Sequence, residues 1–377
     1  MQIQENVLLA PYTTFKIGGP ARYFCVVSDQ FDALQAYEFA DKNKLKTFVL
    51  GGGSNILISD NGFDGLVLKV ENRGVEILSE DANQVTLKVA SGENWDEVVR
   101  FAVNNNWWGI ENLSHIPGST GAIAVQNVGA YGQEAKNVIE SVVVFNKETH
   151  EIQNLKASEC GFSYRSSIFN TQAKGQYIIF YIHFKLSKVP KPNLSYRDLK
   201  NRFFFAEDPH PNPLPGGEGT KIPSLAEIRS AVIEIRDQKF PFPTEAKKGN
   251  AGSFFKNPVL SKSGYEKLRQ AIVKNFGNDK ASELDKKKFS DSTNLTAVKC
   301  VLNGSVKVPA AFLIDLSGLK NLSNGGAAIN QNQPLVIINQ SGTATSAEVL
   351  GLASQVKNAV LSKTGISLNF EPELIGF

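Results

Sequence analysis

Apolar side chains in this sequence recur at two spacings, and the changes from one spacing to the other mark out its elements. Between residues 29 and 43, Phe31, Leu34, Tyr37 and Ala40 fall at three-residue steps and predict a helix, after which KTFVL reads as a strand. That strand runs into GGGSN, and the apolar ILIS follows at once, so the glycine loop joins strand to strand. A dinucleotide-binding βαβ unit needs a helix after its glycines and a phosphate-binding P-loop needs GK[ST]; neither is present. QVTLKVA reads as a further strand. A helix then starts after Asn94, with Glu97 at capping distance and Trp95, Val98, Val99 and Ala102 on its inner face. SVVVFN and HEIQNL, separated by the KET turn, predict a hairpin, and GQYIIFYIHFKL another strand. In SLAEIRSAVIEIRDQ, Ser224 and Glu227 form a capping box over a helix whose apolar face is Leu225, Ile228, Val232 and Ile235; FPFP ends it. The last helix starts near Thr345 with Glu348 in the box, carries Val349, Leu352, Val356 and Val360, and ends at Gly365. Residues 203–222, FFFAEDPHPNPLPGGEGTKI, hold four prolines and three glycines and are expected to form an exposed insertion.

At 377 residues the chain is expected to divide into two or three units, and 42% apolar with 20% charged residues supports a core in each. The formal net charge of +3 is spread out; its densest run, Lys286, Lys287 and Lys288, is expected to be a solvated face, so nucleic acid is not an expected partner. The longest apolar stretch, YIIFYIHF, is too short to span a bilayer, and the start MQIQENVLLAPYTTF lacks a signal peptide's basic end and apolar core. A cytoplasmic protein is expected, with no membrane partner. Cys25, Cys160 and Cys300 have no CxxC spacing and are expected to be buried thiols in a reducing compartment. His115, His150, His183 and His210 show no HxxxH spacing, so no metal centre is expected.

The glycine loop can turn successive amides toward one point as an anion nest, or it can be a tight hairpin. In IPGSTGAIAVQNVGAYG, Gly118, Gly121, Gly129 and Gly132 allow close main-chain approach, while Ser119, Gln126 and Asn127 offer hydrogen bonds. Tyr164 and Arg165 in CGFSYRSSIF provide a fork for a carboxylate or one half of a structural ion pair. GNAGSFFKNP places Ser253 on freely bending backbone, close to a lysine and an asparagine, and NFEPEL carries Glu371 and Glu373 in an apolar setting.

In chain order, GGGSN, IPGSTGAIAVQNVGAYG, FSYRSSIF, GNAGSFFKNP, GGAAINQNQPLVIIN and EPEL resemble the UDP-N-acetylenolpyruvoylglucosamine reductase family, FAD enzymes of bacterial peptidoglycan precursor synthesis. The likeness spans nearly the whole chain apart from the proline-rich insertion and a stretch near 275–300. It implies an α+β fold: a two-part FAD-binding region of the vanillyl-alcohol-oxidase/PCMH type, followed by an α/β substrate-binding domain. The expected parts are residues 1–70 and 71–240 for the flavin, the latter with a tyrosine loop and the insertion, and 241–377 for the substrate, with the C-terminal segment returning to the active site. The implied activity is NADPH-dependent, FAD-mediated reduction of UDP-N-acetylglucosamine enolpyruvate to UDP-N-acetylmuramate by a monomer acting on a nucleotide sugar. The alternatives are an FAD oxidase of the same superfamily acting on a hydroxy acid or sugar alcohol, and a flavin-free nucleotide-sugar binder.

By the same resemblance the catalytic residues are Arg165, Ser253 and Glu373. Cofactor contacts fall on Gly51, Gly52, Gly53, Ser54 and Asn55, on Pro117, Gly118, Ser119, Gln126, Asn127 and Gly129, and on Arg236. Substrate contacts fall on Tyr164, Tyr196, Lys239, Asn257 and Gln333, with Tyr196 in LSYRDL marking the subclass whose tyrosine loop covers the substrate. The sequence departs from that subclass in having no tyrosine across residues 275–308.

Overall fold

Helices begin where the chain supplies an acceptor for their first amides. In the computed structural model, the Asn94 side chain accepts from Glu97 N, and reciprocal boxes join Ser224 with Glu227 and Thr345 with Glu348. The last helix ends on a left-handed Gly365. The structure describes residues 1–204, 222–239, 248–290 and 305–377. The expected insertion therefore lies outside the described residues for 205–221, as do the FPFP stop and Cys300. Its first two positions are helical instead: Phe203 and Phe204 close the helix Arg197–Phe204, whose amphipathic pattern continues through them.

The chain divides into two compact units, one made of Met1–Asn72, Lys147–Glu151 and Lys239–Phe377, the other of Arg73–Asn146 and Ile152–Gln238. In the first, a four-stranded sheet runs in the order Gln4–Leu8, Pro20–Val27, Phe63–Val70, Lys46–Leu50, with the last three parallel. Helix Gln30–Lys42 makes the crossover that parallel strands require. It buries Ala33, Ala36, Tyr37 and Ala40, while Phe31 is 67% exposed. Two residues ahead of Ala33 is about 200° around the helix, which turns Phe31 outward.

The same unit holds the antiparallel sheet Asn250–Ser253, Val336–Asn339, Ala327–Ile329, Ser323–Asn324. Its core takes in Val349, Leu352, Val356 and Val360 of the last helix, as expected, together with Phe15, Ile17 and Leu57 from near the N-terminus. Helices Lys262–Phe276 and Asn278–Ser290 also belong here. Within the second, Lys286 is exposed, whereas Lys287 pairs with Glu283 at 2.9 Å and lies 4.7 Å from the Phe312 ring centre. At Lys287 the run is thus not purely a solvated face, because that side chain lies over an apolar ring.

The second unit is built on a five-stranded antiparallel sheet in the order Ile152–Lys156, Ile139–Asn146, Tyr177–Ser187, Gln84–Ala90, Val75–Glu80. The expected hairpin is its first pair. Helices Trp95–Asn104 and Leu225–Lys239 contribute Trp95, Val98, Val99, Leu225, Ile228 and Val232 to one core. No helix among the described residues is long and apolar enough to cross a membrane.

Candidate active site

In the first unit three segments far apart in sequence meet through main-chain hydrogen bonds. The glycine loop between strands Lys46–Leu50 and Ile56–Ile58 needs glycine at its centre: Gly53 has φ +62°, and a Cβ there would stand 2.0 Å from the Tyr12 carbonyl oxygen. Gly51, Gly52, Ser54 and Asn55 around it are half-buried. The C-terminal strand Glu373–Ile375 lies parallel to Ile56–Ile58, so that the Glu373 amide donates to the Asn55 carbonyl at 3.0 Å. Asn55 Nδ2 donates to the Glu371 carbonyl at 3.2 Å, and the Glu371 amide donates to Phe254 O at 3.0 Å, one residue beyond Ser253. Thr14 adds a second tie, its amide on Gly53 O at 3.1 Å and its hydroxyl on Asn250 O at 2.7 Å. Ser253 and Glu373, both half-buried, are thereby brought to the border of the glycine loop.

Around them, Asn257 Oδ1 accepts from Ala310 N at 2.9 Å, which fixes the side chain and turns its NH2 group into the part able to meet a ligand. Gln333 is held by its main chain, its amide on Asn330 Oδ1 and its carbonyl receiving Val336 N, both at 2.9 Å, in the turn that leads into the partner strand of Ser253. Lys239 is the last residue of helix Leu225–Lys239.

In the second unit, Gly118 has φ +122° and its carbonyl receives the Trp95 amide at 3.1 Å. Gly121 donates to Ser91 O at 2.8 Å, and a Cβ there would meet Ser91 Cβ at 2.7 Å, so this loop must also approach its support as bare backbone. Ser119 is buried; Pro117, Gln126 and Gly129 are half-buried. Ser163 and Ser166 bond to each other across a tight turn that presents Tyr164 and Arg165. Arg165 takes φ +53°; its Nη2 donates to Gly129 O at 3.0 Å and its guanidinium lies 5.5 Å from the Tyr164 ring centre. Asn127, expected at the cofactor, is 1% exposed, and its side chain bonds Ser163 O, Glu134 and Lys136 N. Tyr196 sets its ring edge against Tyr131 at 5.2 Å between centres.

Helix Leu225–Lys239 is tied to the Pro117 loop by charge. Arg229 grips Asp96 bidentately at 2.7 and 2.8 Å, Asp96 also accepts the His115 amide, and His115 Nε2 meets Asp237 at 2.9 Å. Burial alone would raise the Asp96 pKa; the Arg229 bonds, the His115 amide and their positive charge outweigh it and hold the carboxyl below the usual range. Arg236, on the same helix, has its pKa lowered by burial against the opposing pull of Tyr131, Asp96 and Asp237. Nothing in the sequence around Asp96 separates this pair from an ordinary acidic first turn.

Each unit by itself offers groups that suit part of a flavin dinucleotide: the first a glycine-opened loop of main-chain amides with the Ser54 hydroxyl, the second another such loop with the Ser119 hydroxyl and the Arg236 cation. Comparisons with known proteins agree. A family model described as FAD binding domain matches residues 21–154, and one described as UDP-N-acetylenolpyruvoylglucosamine reductase, C-terminal domain, matches residues 243–375. The chain is 37% identical over 376 residues to UDP-N-acetylenolpyruvoylglucosamine reductase of Flavobacterium johnsoniae, covering 100% of both. It is 36% identical over 374 residues to the enzyme of that name from Amoebophilus asiaticus, with 99% of each covered. The crystal structure of UDP-N-acetylenolpyruvylglucosamine reductase from Thermus caldophilus shares the fold, with a TM-score of 0.63 at 22% identity over 100% of this chain and 99% of that one. By its sequence kinship over full length, the chain belongs to the UDP-N-acetylenolpyruvoylglucosamine reductase family.

Proposed function

We propose that this chain reduces UDP-N-acetylglucosamine enolpyruvate to UDP-N-acetylmuramate with NADPH, using bound FAD, in peptidoglycan precursor synthesis. The observation that carries the reading is the double use of Glu371, whose main chain bonds both Asn55 and Phe254 and so sets an acidic strand and a serine strand beside a flavin loop. Residues 1–70 and 71–240 are assigned to the cofactor and 241–377 to the nucleotide sugar. FAD would be held by residues 51–55, by Pro117, Gly118, Ser119, Gln126 and Gly129, and by Arg236; when bound, it supplies the hydride that NADPH delivers.

The remaining chemistry belongs to the chain. Arg165 meets the enolpyruvyl carboxylate, and its fixed charge lowers the barrier as electron density moves into that group. Ser253 Oγ gives a proton to the carbon beside the carboxylate, which completes the lactyl ether, and the serine regains a proton from water. An enolate is far more basic than an alkoxide, so a weakly acidic hydroxyl suffices when held in place. Glu373 orders the reacting end of the substrate. Lys239 meets the diphosphate, and Tyr164, Tyr196, Asn257 and Gln333 complete the substrate contacts. Action as a monomer in the cytoplasm is part of this reading.

The test is one assay on the purified protein: bound FAD by absorbance, then NADPH oxidation with and without the enolpyruvyl nucleotide sugar. Oxidation that depends on the sugar supports the proposal. Oxidation indifferent to it, or oxygen-consuming turnover of a hydroxy acid without NADPH, overturns it in favour of an oxidase.

A further inference from the structure

A cofactor contact from the side chain of Asn127 is at odds with where that side chain goes. Its two N–H groups point to Ser163 O at 3.0 Å and Glu134 Oε2 at 3.2 Å, and its Oδ1 receives Lys136 N at 3.0 Å. At 1% exposure with φ +44°, the residue holds a left-handed backbone that an asparagine tolerates better than most side chains. Both donors are committed, so only its main chain remains for a cofactor.

The committed groups converge on the turn that carries Arg165. Ser163 O is the carbonyl immediately before Tyr164. Two residues along from Asn127, in the same loop, the strand pair Gly129–Ala130 and Gln133–Glu134 begins, and Gly129 O receives Arg165 Nη2 at 3.0 Å. A Cβ on Gly129 would stand 3.0 Å from Glu134 Cγ and 3.4 Å from Arg165 Nη1, so the arginine and the acid flank bare backbone. Lys136 Nζ lies 2.8 Å from the Glu134 carboxylate and fixes the side chain that Asn127 grips. Asn127 thus anchors one end of the arginine turn while its loop holds the guanidinium at the other.

We propose that Asn127 is a positioning residue for Arg165: it sets the guanidinium for the enolpyruvyl carboxylate and acts in the sugar-reducing half of the cycle, with its side chain outside cofactor binding. The inference rests on the function proposed above. Its test combines two variants, N127D and N127A, with the same changes in an R165K background, read by stopped-flow on the FAD-loaded enzyme together with FAD content and thermal unfolding. N127D keeps the shape of the side chain and the oxygen that Lys136 reaches, but donates to neither Ser163 nor Glu134. Both variants are expected to keep FAD, unfold cooperatively and be reduced by NADPH within about threefold of the parent rate, while reoxidation by saturating enolpyruvyl nucleotide sugar slows about 10- to 100-fold. In the R165K background the same changes should slow reoxidation little further, because a residue acting through the arginine has nothing left to position. Equal slowing of both halves, loss of FAD or of cooperative unfolding in both variants, or a full multiplicative loss on top of R165K would each overturn the proposal. If the parent enzyme, once reduced, is not reoxidised by the nucleotide sugar, the function assigned above fails instead.

Discussion

Removing the Asp96 carboxylate tests whether one partly buried ion pair holds helix Leu225–Lys239 in place. Asp96 and Arg229 retain 16% and 13% of their side-chain exposure and meet through two bonds of 2.7 and 2.8 Å, with the His115 amide as a third donor. D96A strands the guanidinium and that amide together. Breaking a fully buried pair from one side costs about 3–5 kcal/mol, and the residual exposure here points to the lower end, about 3 kcal/mol. For a unit of this size each kcal/mol moves the midpoint by about 2–4 °C, so a fall of about 6–12 °C is expected by calorimetry at pH 7. The same helix provides a control: Arg202 and Glu234 pair at 3.3 Å with 53% and 52% exposure, and R202A should change stability by less than about 1 kcal/mol.

The pH dependence has a definite sign. The folded carboxyl titrates below its unfolded value of about 3.9, so the pair's contribution is complete above that value and is lost as pH falls through the folded pKa. The gap between parent and D96N should therefore be flat from neutrality down to about pH 5 and narrow below it. Adding R229M to D96A should recover part of the loss, because no charge is then left without its partner. If D96A and R202A shift the midpoint equally, or the double variant is worse than D96A, the pair is not acting as a desolvated clamp.

Other expectations follow from single groups. S253A should leave flavin reduction by NADPH intact and slow reoxidation by the nucleotide sugar about 10²- to 10⁴-fold; stopped-flow traces slowed alike in both halves would remove the serine from proton transfer. G53A faces the Tyr12 carbonyl 2.0 Å away, whereas G175A at φ +79° meets nothing within 4 Å. The second should therefore cost only its left-handed strain of about 1 kcal/mol, and the first more, together with FAD retention, as melting and absorbance would show. Burial pushes the thiols of Cys25 and Cys160 up to about 12, so neither should react with iodoacetamide at pH 8 until the protein unfolds; peptide mass spectrometry of native protein carrying the label at either site would contradict this.

What could be read in the sequence was what a short window of chain decides. Caps at Asn94, Ser224 and Thr345 and the four-residue spacings behind them needed only nearest neighbours, and each helix starts where they place it. The steps of Phe31, Leu34, Tyr37 and Ala40 predict the helix that forms, yet three-residue steps cannot say which side of it faces in, and small alanines, weak as hydrophobic signals, take most of the inner face. The site depended on partners far apart. The parallel pairing of Glu373 with Ile56, and the Glu371 bonds to Asn55 and Phe254, join positions whose local patterns carry no trace of one another. Glu371 acts there through its main chain, which any residue but proline could donate from, so its side-chain type holds no signal. The motif order around GGGSN, Ser253 and EPEL pointed to these segments only through resemblance to a family; the hydrogen bonds supply the physical reason they must occur together. A glycine loop without the acidic strand beside it would be a turn, and the acidic strand without Asn55 and Phe254 would have no register. The site is therefore legible as a set of residues before folding, and becomes an arrangement only once the last residues of the chain pair with the strand that begins at Ile56.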